Sequence, residues 1–185
     1  MEDRALVSGT LEGDRAAYMT LVGRYAGLAV AAAYTFTRDI EAAEGVAAAG
    51  LGLAYTRLGL EGEESNFPAV VVAAVRSAYR TWKREKKAVL RGLRVVSWLG
   101  ELKDAHPGTF REERRVDSMR RLQGVVNRLP VRQRLAVNLR FMGAMSYNRI
   151  GAAMRTRAEA ISALLAKAAS RVRRELIDIE PKEWA

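Results

Sequence analysis

Apolar residues three and four positions apart recur along nearly the whole chain, and no apolar–polar alternation survives more than a few residues. Strands need that alternation, or β-branched and aromatic runs; here alanine, leucine, arginine and glutamate dominate and valine is scattered. The pattern predicts an all-α protein. A first helix is expected from near Asp14, with Ala17, Leu21, Val22, Tyr25, Leu28 and Ala29 on its apolar face. Asp39 is placed to cap a second, running from Ile40 to about Leu58 and closed by Gly59. Gly62 to Asn66 reads as a loop, after which Pro68 suits the first turn of a third helix ending in the basic run 83–87.

The helical pattern weakens from about Ala88 to Val116. That stretch holds a short apolar piece (Leu93, Val95, Val96, Trp98, Leu99), the turn-like His106-Pro107-Gly108 and a run of mixed charge. It reads as a linker with at most one short helix. Beyond it a helix is expected from Asp117 to Arg128, and Pro130 opens another that Gly143 closes. Ser146 caps a short helix ending near Ala153. Thr156-Arg-Ala-Glu159 has the spacing of a capping box for the last helix, whose Ile161, Leu164, Leu165, Ala168 and Val172 share one face. The expected organisation is two small helical domains, 1–87 and 117–185, joined by a flexible linker at 88–116.

Composition removes several function classes. The 185 residues contain no cysteine and one histidine, His106, so a thiolate site is excluded and an imidazole zinc site or Ser-His-Asp triad would hang on one residue. The carboxylates are scattered, and no glycine-rich phosphate loop follows a strand. A surface histidine in a loop is the plainer reading of His106, and neither an enzyme, a metal nor a cofactor is expected. No apolar run is judged to reach the roughly 18 residues of a membrane span. The start, Met1-Glu2-Asp3-Arg4, lacks the pattern of an export signal, so a cytoplasmic protein without membrane insertion is expected.

Charge points to a partner. Lys plus Arg number 31 against 21 Asp plus Glu, a formal charge of +10. The excess is uneven: residues 1–60 hold five basic and seven acidic side chains, whereas 127–185 hold twelve and five. A basic C-terminal half suits a polyanion, most often nucleic acid, although a solvated basic surface explains charge alone equally well. Within that half, Ser146 to Arg174 reads as a helix-turn-helix: a short helix, a tight connection at Met154-Arg155-Thr156, then a longer helix. Opposite the apolar stripe, the second helix carries Glu159, Ala163, Ala166, Lys167, Ser170, Arg173 and Arg174. Small residues there permit close approach to a groove, and the terminal arginines reach toward phosphates. An ordinary helical hairpin with a basic rim has the same spacing.

The most specific stretch is Leu129-Pro-Val-Arg-Gln-Arg-Leu-Ala-Val-Asn-Leu-Arg140, followed by Gly143-Ala-Met-Ser-Tyr147 and Ile150. Nearer the N-terminus stand Leu6-Val7, Gly13-Asp14-Arg15-Ala16-Ala17-Tyr18, Leu21, Arg24-Tyr25 and Asp39-Ile-Glu-Ala-Ala-Glu44. Together these resemble regions 4 and 2 of the extracytoplasmic-function (group IV) sigma factors of bacterial RNA polymerase, in family order and over nearly the whole chain. Departures are specific. The family's Val-Gln-Glu-x-Phe run is replaced by Gly45-Val-Ala-Ala-Ala-Gly50-Leu, and Phe-x-x-Trp-Leu survives as Phe67-Pro-Ala-Val-Val71. Ala-Arg-Asn is Val75-Arg76-Ser77. In the last helix Val-Lys-Ser-Arg-Leu is Ile161-Ser-Ala-Leu-Leu165, while Arg155 and Arg157 stand beside the turn. The scaffold is kept better than the contact chemistry.

The resemblance implies a protein that binds core RNA polymerase, directs it to promoter DNA and helps to open the duplex, with an anti-sigma protein as a further partner. It implies polymerase contact through Asp39, Glu41 and Glu44. It implies capture of the non-template strand by the third helix, where Arg76, Arg80 and Lys83 recur at helical spacing beside Tyr79, Trp82 and Arg84. Arg155 and Arg157 stand at the start of the recognition helix, where side chains of such motifs reach base edges or flanking phosphates, and phosphate contacts are expected of Lys167, Arg171, Arg173 and Arg174. The linker would thread through polymerase and be mobile in the free protein, although Val95, Val96 and Trp98 argue that it docks somewhere. The alternative is a sigma-like DNA-binding regulator or decoy that no longer initiates transcription, which the altered region 2 residues motivate.

Overall fold

A computed structural model describes residues 3–62, 66–93 and 110–177, and among these there are eight helices and no strand. The elements are α1 (Asp3–Leu11), α2 (Arg15–Thr37), α3 (Ile40–Glu61), α4 (Phe67–Leu93), α5 (Phe110–Arg128), α6 (Val131–Phe141), α7 (Tyr147–Met154) and α8 (Ala158–Ile177). The all-α expectation holds.

α2 is the axis of the molecule. Asp14 caps it by accepting from the Ala16 and Ala17 amides at 2.8 and 3.2 Å. Its first half is amphipathic, burying Ala17, Leu21 and Tyr25, but from Ala31 to Thr35 every residue is buried. A helix apolar on all sides must be surrounded. α1, α3 and α4 cover three sides and α6 covers the fourth. By length and composition α2 also suffices to cross a membrane, although no apolar run was expected to reach that length. Its alanines and leucines are instead spent on packing against four helices.

α3 and α4 lie close enough that a β-carbon on Gly50 would come within 2.8 Å of Val75 Cα. Only glycine permits that crossing. α4 is started by Asn66, whose Oδ1 accepts from the Ala69 amide at 3.4 Å, with Pro68 in the first turn as expected. Phe67 is buried there, edge-on to the rings of Tyr18 and Tyr25. Burying such a ring stabilises by about 1.5–3 kcal/mol.

Several boundaries differ from expectation. α1 was not anticipated. It is held by tertiary contacts: Leu6 and Val7 are buried, and Asp3 accepts from both Arg24 and Tyr25 Oη. α3 passes through Gly59 and stops at Gly62, whose φ of +76° is the turn that favours glycine. α4 runs beyond the basic cluster to Leu93 and α5 begins at Phe110, so helix occupies both ends of the stretch 88–116. Residues 94–109, with Val95, Val96, Trp98 and His106, lie outside the described residues.

The last four helices do not stand apart from the first four. α6 packs on α2 and α7 on α4, and one continuous apolar core includes Leu135, Leu139, Met145, Ile150 and Ile161 together with the core of α1–α4. The arginine of the Leu-Pro-x-x-x-Arg segment explains part of this. Arg134 is 4% exposed, and its guanidinium donates to Thr35 O (2.9 Å), Asn127 O (2.6 Å) and Leu129 O (3.1 Å). Burial first, and then the nearby Arg38 charge, pull its pKa below the ordinary arginine value, with Tyr79 opposing.

Candidate nucleic-acid interface

A short helix, α7, a tight turn and a longer helix, α8, follow one another at the C-terminal side. Ser146 caps α7 by accepting from the Arg149 amide at 3.4 Å, and Ile150, Gly151 and Ala153 are buried. The turn is tight: Arg155 takes a left-handed conformation (φ 52°), and the Thr156 amide donates to Gly151 O at 2.9 Å. A β-carbon on Gly151 would fall 2.7 Å from Thr156 O, so the turn closes onto a position that only glycine can fill. α8 begins later than the capping-box spacing requires. Arg157 O accepts the first helical bond, from Ile161 N at 3.2 Å, so Arg157 and not Thr156 occupies the N-cap, and the box does not form.

On α8 the stripe faces inward as expected, with Ile161 and Ala168 buried and Leu164, Leu165 and Val172 half-buried. Glu159, Ala163, Ala166, Lys167, Ser170, Arg173 and Arg174 are all exposed, giving a face of small residues that ends in cations. Arg155 and Arg157 are exposed at the turn and the start of α8. Two of the expected contacts are engaged internally. Arg171 Nε lies 3.3 Å from Glu175, which also holds Arg128 at 3.1 Å, and Arg155 Nη2 lies 3.7 Å from Glu61.

α4 carries the second candidate face. Arg76, Arg80, Lys83 and Arg84 are exposed, and Arg84 Nε donates to Arg80 O at 3.3 Å. Tyr79 and Trp82 are half-buried and belong to an aromatic stack. Tyr79 lies between Phe36 (ring centroids 5.4 Å, planes 25° apart) and Trp82 (5.9 Å, 28°), and Lys86 Nζ sits 4.9 Å from the Trp82 centroid. Tyr79 thus stacks with two other rings, and Lys86 sits over the ring of Trp82.

Asp39, Glu41 and Glu44 are exposed at the start of α3, where Asp39 Oδ1 also caps the helix through the Ala42 amide at 3.0 Å. They stand beside a feature the sequence reading missed. An apolar groove of about 910 Å³ lies between α5, α6 and α8 and the α2–α3 corner, lined by Ile40, Met119, Leu122, Phe141, Tyr147 and Leu165 among others. Phe141 is 77% exposed, and at the groove Tyr34 Oη has no partner. The available signal was Phe141-Met142 immediately ahead of the Gly143 turn, two large apolar side chains where a helix end is usually polar. Among the described residues no three His, Cys, Asp or Glu side chains gather as a metal site.

No protein-family model and no curated protein matches the sequence. Solved structures do. The chain is similar to CnrH in its complex with the cytosolic domain of CnrY, with a TM-score of 0.60 and 17% identity, over 96% of this chain and 98% of that one. It is also similar to the sigma factor RpoE in complex with the anti-sigma factor NepR from Bartonella quintana, with a TM-score of 0.53 and 17% identity, over 86% of this chain and 96% of that one. Both relatives are extracytoplasmic-function sigma factors, and theirs is the fold of this chain.

Proposed function

We propose that the chain is a sigma factor of the extracytoplasmic-function type, which binds core RNA polymerase and directs it to promoters. The observation that carries this reading is the extent of the likeness. One fold match spans 96% of the chain, and the two sequence segments that resemble regions 2 and 4 fall within it in order. In this reading 1–87 is the polymerase- and strand-binding unit and 117–185 the duplex-reading unit. Exposed Arg155 and Arg157 read bases, while Lys167, Arg173 and Arg174 contact phosphates. Arg76, Arg80, Lys83 and Arg84 follow the backbone of the opened strand, and Trp82 offers its outer ring face to an unstacked base once Lys86 moves. Asp39, Glu41 and Glu44 meet polymerase. The protein needs no chemistry or cofactor of its own, because polymerase supplies the active site and its magnesium.

The complex of RpoE with the anti-sigma factor NepR motivates an anti-sigma protein as a further partner. The engagement of Tyr79 in stacking with Phe36 and Trp82 favours the second reading, a sigma-like regulator or decoy that no longer opens DNA. Co-purification with core polymerase tests the proposal. Wild type is expected to be retained, and Glu41→Lys/Glu44→Lys, altering two exposed residues, to be lost while keeping its helix content. Retention of the double variant would remove the acidic start of α3 from the interface, and failure of the wild type to bind would sink the sigma reading.

A further inference from the structure

Ile40, Met119, Leu122, Phe141, Met142 and Tyr147 are large apolar side chains left exposed, and all six line the groove between α5, α6, α8 and the α2–α3 corner. Apolar residues exposed singly need no explanation, but a contiguous set drawn from four helices and a turn does. The groove's volume of about 910 Å³ falls within the roughly 300–1,000 Å³ of small-molecule sites. Along α8 it runs from Ser162 to Val172, about 15 Å at 1.5 Å per residue. That suits a small molecule better than the roughly 20–30 residues a side of a stable protein interface. Met119 and Met142, unbranched and polarizable, give it walls that adapt to a guest.

The polar requirement of the groove comes down to one atom. Among the described residues, three buried side-chain polar atoms have no partner, and of these Tyr34 Oη alone belongs to the lining. Tyr34 is 7% exposed. A hydroxyl buried without a partner opposes folding, and an acceptor brought to it through the groove recovers that loss. The other polar side chains of the lining are engaged or exposed. Asn138 Nδ2 donates to Thr35 Oγ1 at 3.0 Å, and Gln123 and Ser162 are exposed. Arg140, the one charged side chain in the lining, donates through Nη1 to Met145 O at 2.9 Å and lies 5.4 Å over the Tyr147 ring. Burial first, and then the nearby Asp39 charge, raise the pKa of Tyr34, so the phenol keeps its proton and donates. The same Asp39 charge opposes a carboxylate beside it and leaves a neutral oxygen as the matching acceptor.

We infer that this groove is a binding site for a neutral, largely apolar small molecule whose carbonyl oxygen accepts a hydrogen bond from Tyr34 Oη. The site uses only the packing of α2, α3, α5, α6 and α8, and so stands apart from the sigma-factor reading.

Nile red, a neutral dye with a ring carbonyl that brightens and shifts to the blue in apolar sites, is the probe, used with the full chain. It should bind saturably at one site. Three naphthalenes then compete for it: 2-acetylnaphthalene, with a neutral acceptor; 2-ethylnaphthalene, the same body without one; and anionic 2-naphthoate. The acetyl compound should displace the dye at about a tenth of the concentration that the ethyl compound needs, and the naphthoate should be weakest. Tyr34→Phe should erase the acetyl advantage and leave the ethyl compound within about twofold of its wild-type affinity. It should also fold at least as stably as wild type, because the hydroxyl it removes has no partner. Phe141→Arg, at the most exposed of the six apolar positions, should weaken dye and competitors alike by about tenfold at unchanged helix content. No saturable dye binding, or binding indifferent to Phe141→Arg, would overturn the site. An acetyl advantage that is absent in wild type, or that survives Tyr34→Phe, would overturn the hydroxyl's role and the carbonyl class with it. Dye released by core RNA polymerase but by none of the naphthalenes would overturn the proposal in favour of a protein occupant.

Discussion

Replacing Arg134 with methionine isolates what the buried guanidinium contributes. The side chain is 4% exposed and makes three hydrogen bonds to main-chain carbonyls at 2.6–3.1 Å. Bonds from a charged donor contribute about 1.5–3 kcal/mol each, and desolvating the guanidinium takes back several kcal/mol of that total. Methionine keeps most of the stem volume, so the cavity cost is small, but the carbonyls of Thr35, Asn127 and Leu129 lose their donor. Orphaned groups cost about 1–3 kcal/mol each where water cannot reach them. A net loss of about 3 kcal/mol follows, near the lower end of the range for breaking a buried charged interaction. For a chain of this size it corresponds to a fall in Tm of about 6–12 °C. Urea and thermal unfolding followed by circular dichroism measure it, with Arg134→Lys as a companion, because an ammonium cannot fork to carbonyls on two helices. If Arg134→Met were within about 0.5 kcal/mol of wild type, or more stable, the guanidinium would not be a structural clasp and the desolvation penalty would have won.

Gly151→Ala should destabilise by about 1–3 kcal/mol, because its β-carbon meets the Thr156 carbonyl at 2.7 Å and backbone must move; chemical denaturation reads this directly. Arg155→Gly should raise stability by about 1 kcal/mol, since glycine takes the left-handed turn without a Cβ penalty, while weakening duplex binding; a loss of both would mean that Arg155 acts mainly through its Glu61 pair. Burial, followed by the hydrogen bond to Asp3, pushes the Tyr25 hydroxyl up to about 12. A group whose folded pKa is raised loses its contribution as pH rises, so stability should fall between pH 10 and 12, and Tyr25→Phe should flatten that decline in alkaline melts.

The sequence was most legible where one residue type has one local use. Asp39 and Ser146 cap the helices expected of them, Asp14 caps the helix expected to start near it, and Pro130 stands at the N-cap of α6. It was least legible where tertiary contact overrides a local signal. Gly59 looked like a stop, but an exposed glycine costs a helix only about 1 kcal/mol, and the left-handed turn came at Gly62. α1 is nine residues with a glycine inside, too short to stand alone, and the anchors of Asp3 on Arg24 and Tyr25 are invisible to periodicity. The capping box failed because the left-handed turn at Arg155 delays the helix to Ala158.

The site shows the same division. The exposed cations of α4 and α8 follow from helical spacing, so their faces could be read directly. The surroundings of Tyr79 and Trp82 could not, since Phe36 comes from α2 and the stack exists only after α2 and α4 pack. The apolar groove needs α5, α6, α8 and the α2–α3 corner together. Nothing in the local pattern paired Thr35 with Asn138 across the α2–α6 crossing.

The central claim is that this chain initiates transcription with a borrowed active site, and reconstituted run-off transcription tests it most directly. Bacterial core RNA polymerase, which is inert on promoters alone, is mixed with the purified chain and fragmented bacterial genomic DNA, and transcript 5′ ends are mapped. The account predicts discrete new start sites that share an upstream element, disappear in Arg155→Ala/Arg157→Ala, and are rescued for Trp82→Ala on pre-melted templates. Tight binding to polymerase with no new start site on duplex or pre-melted DNA would contradict it, and would identify the chain as a decoy.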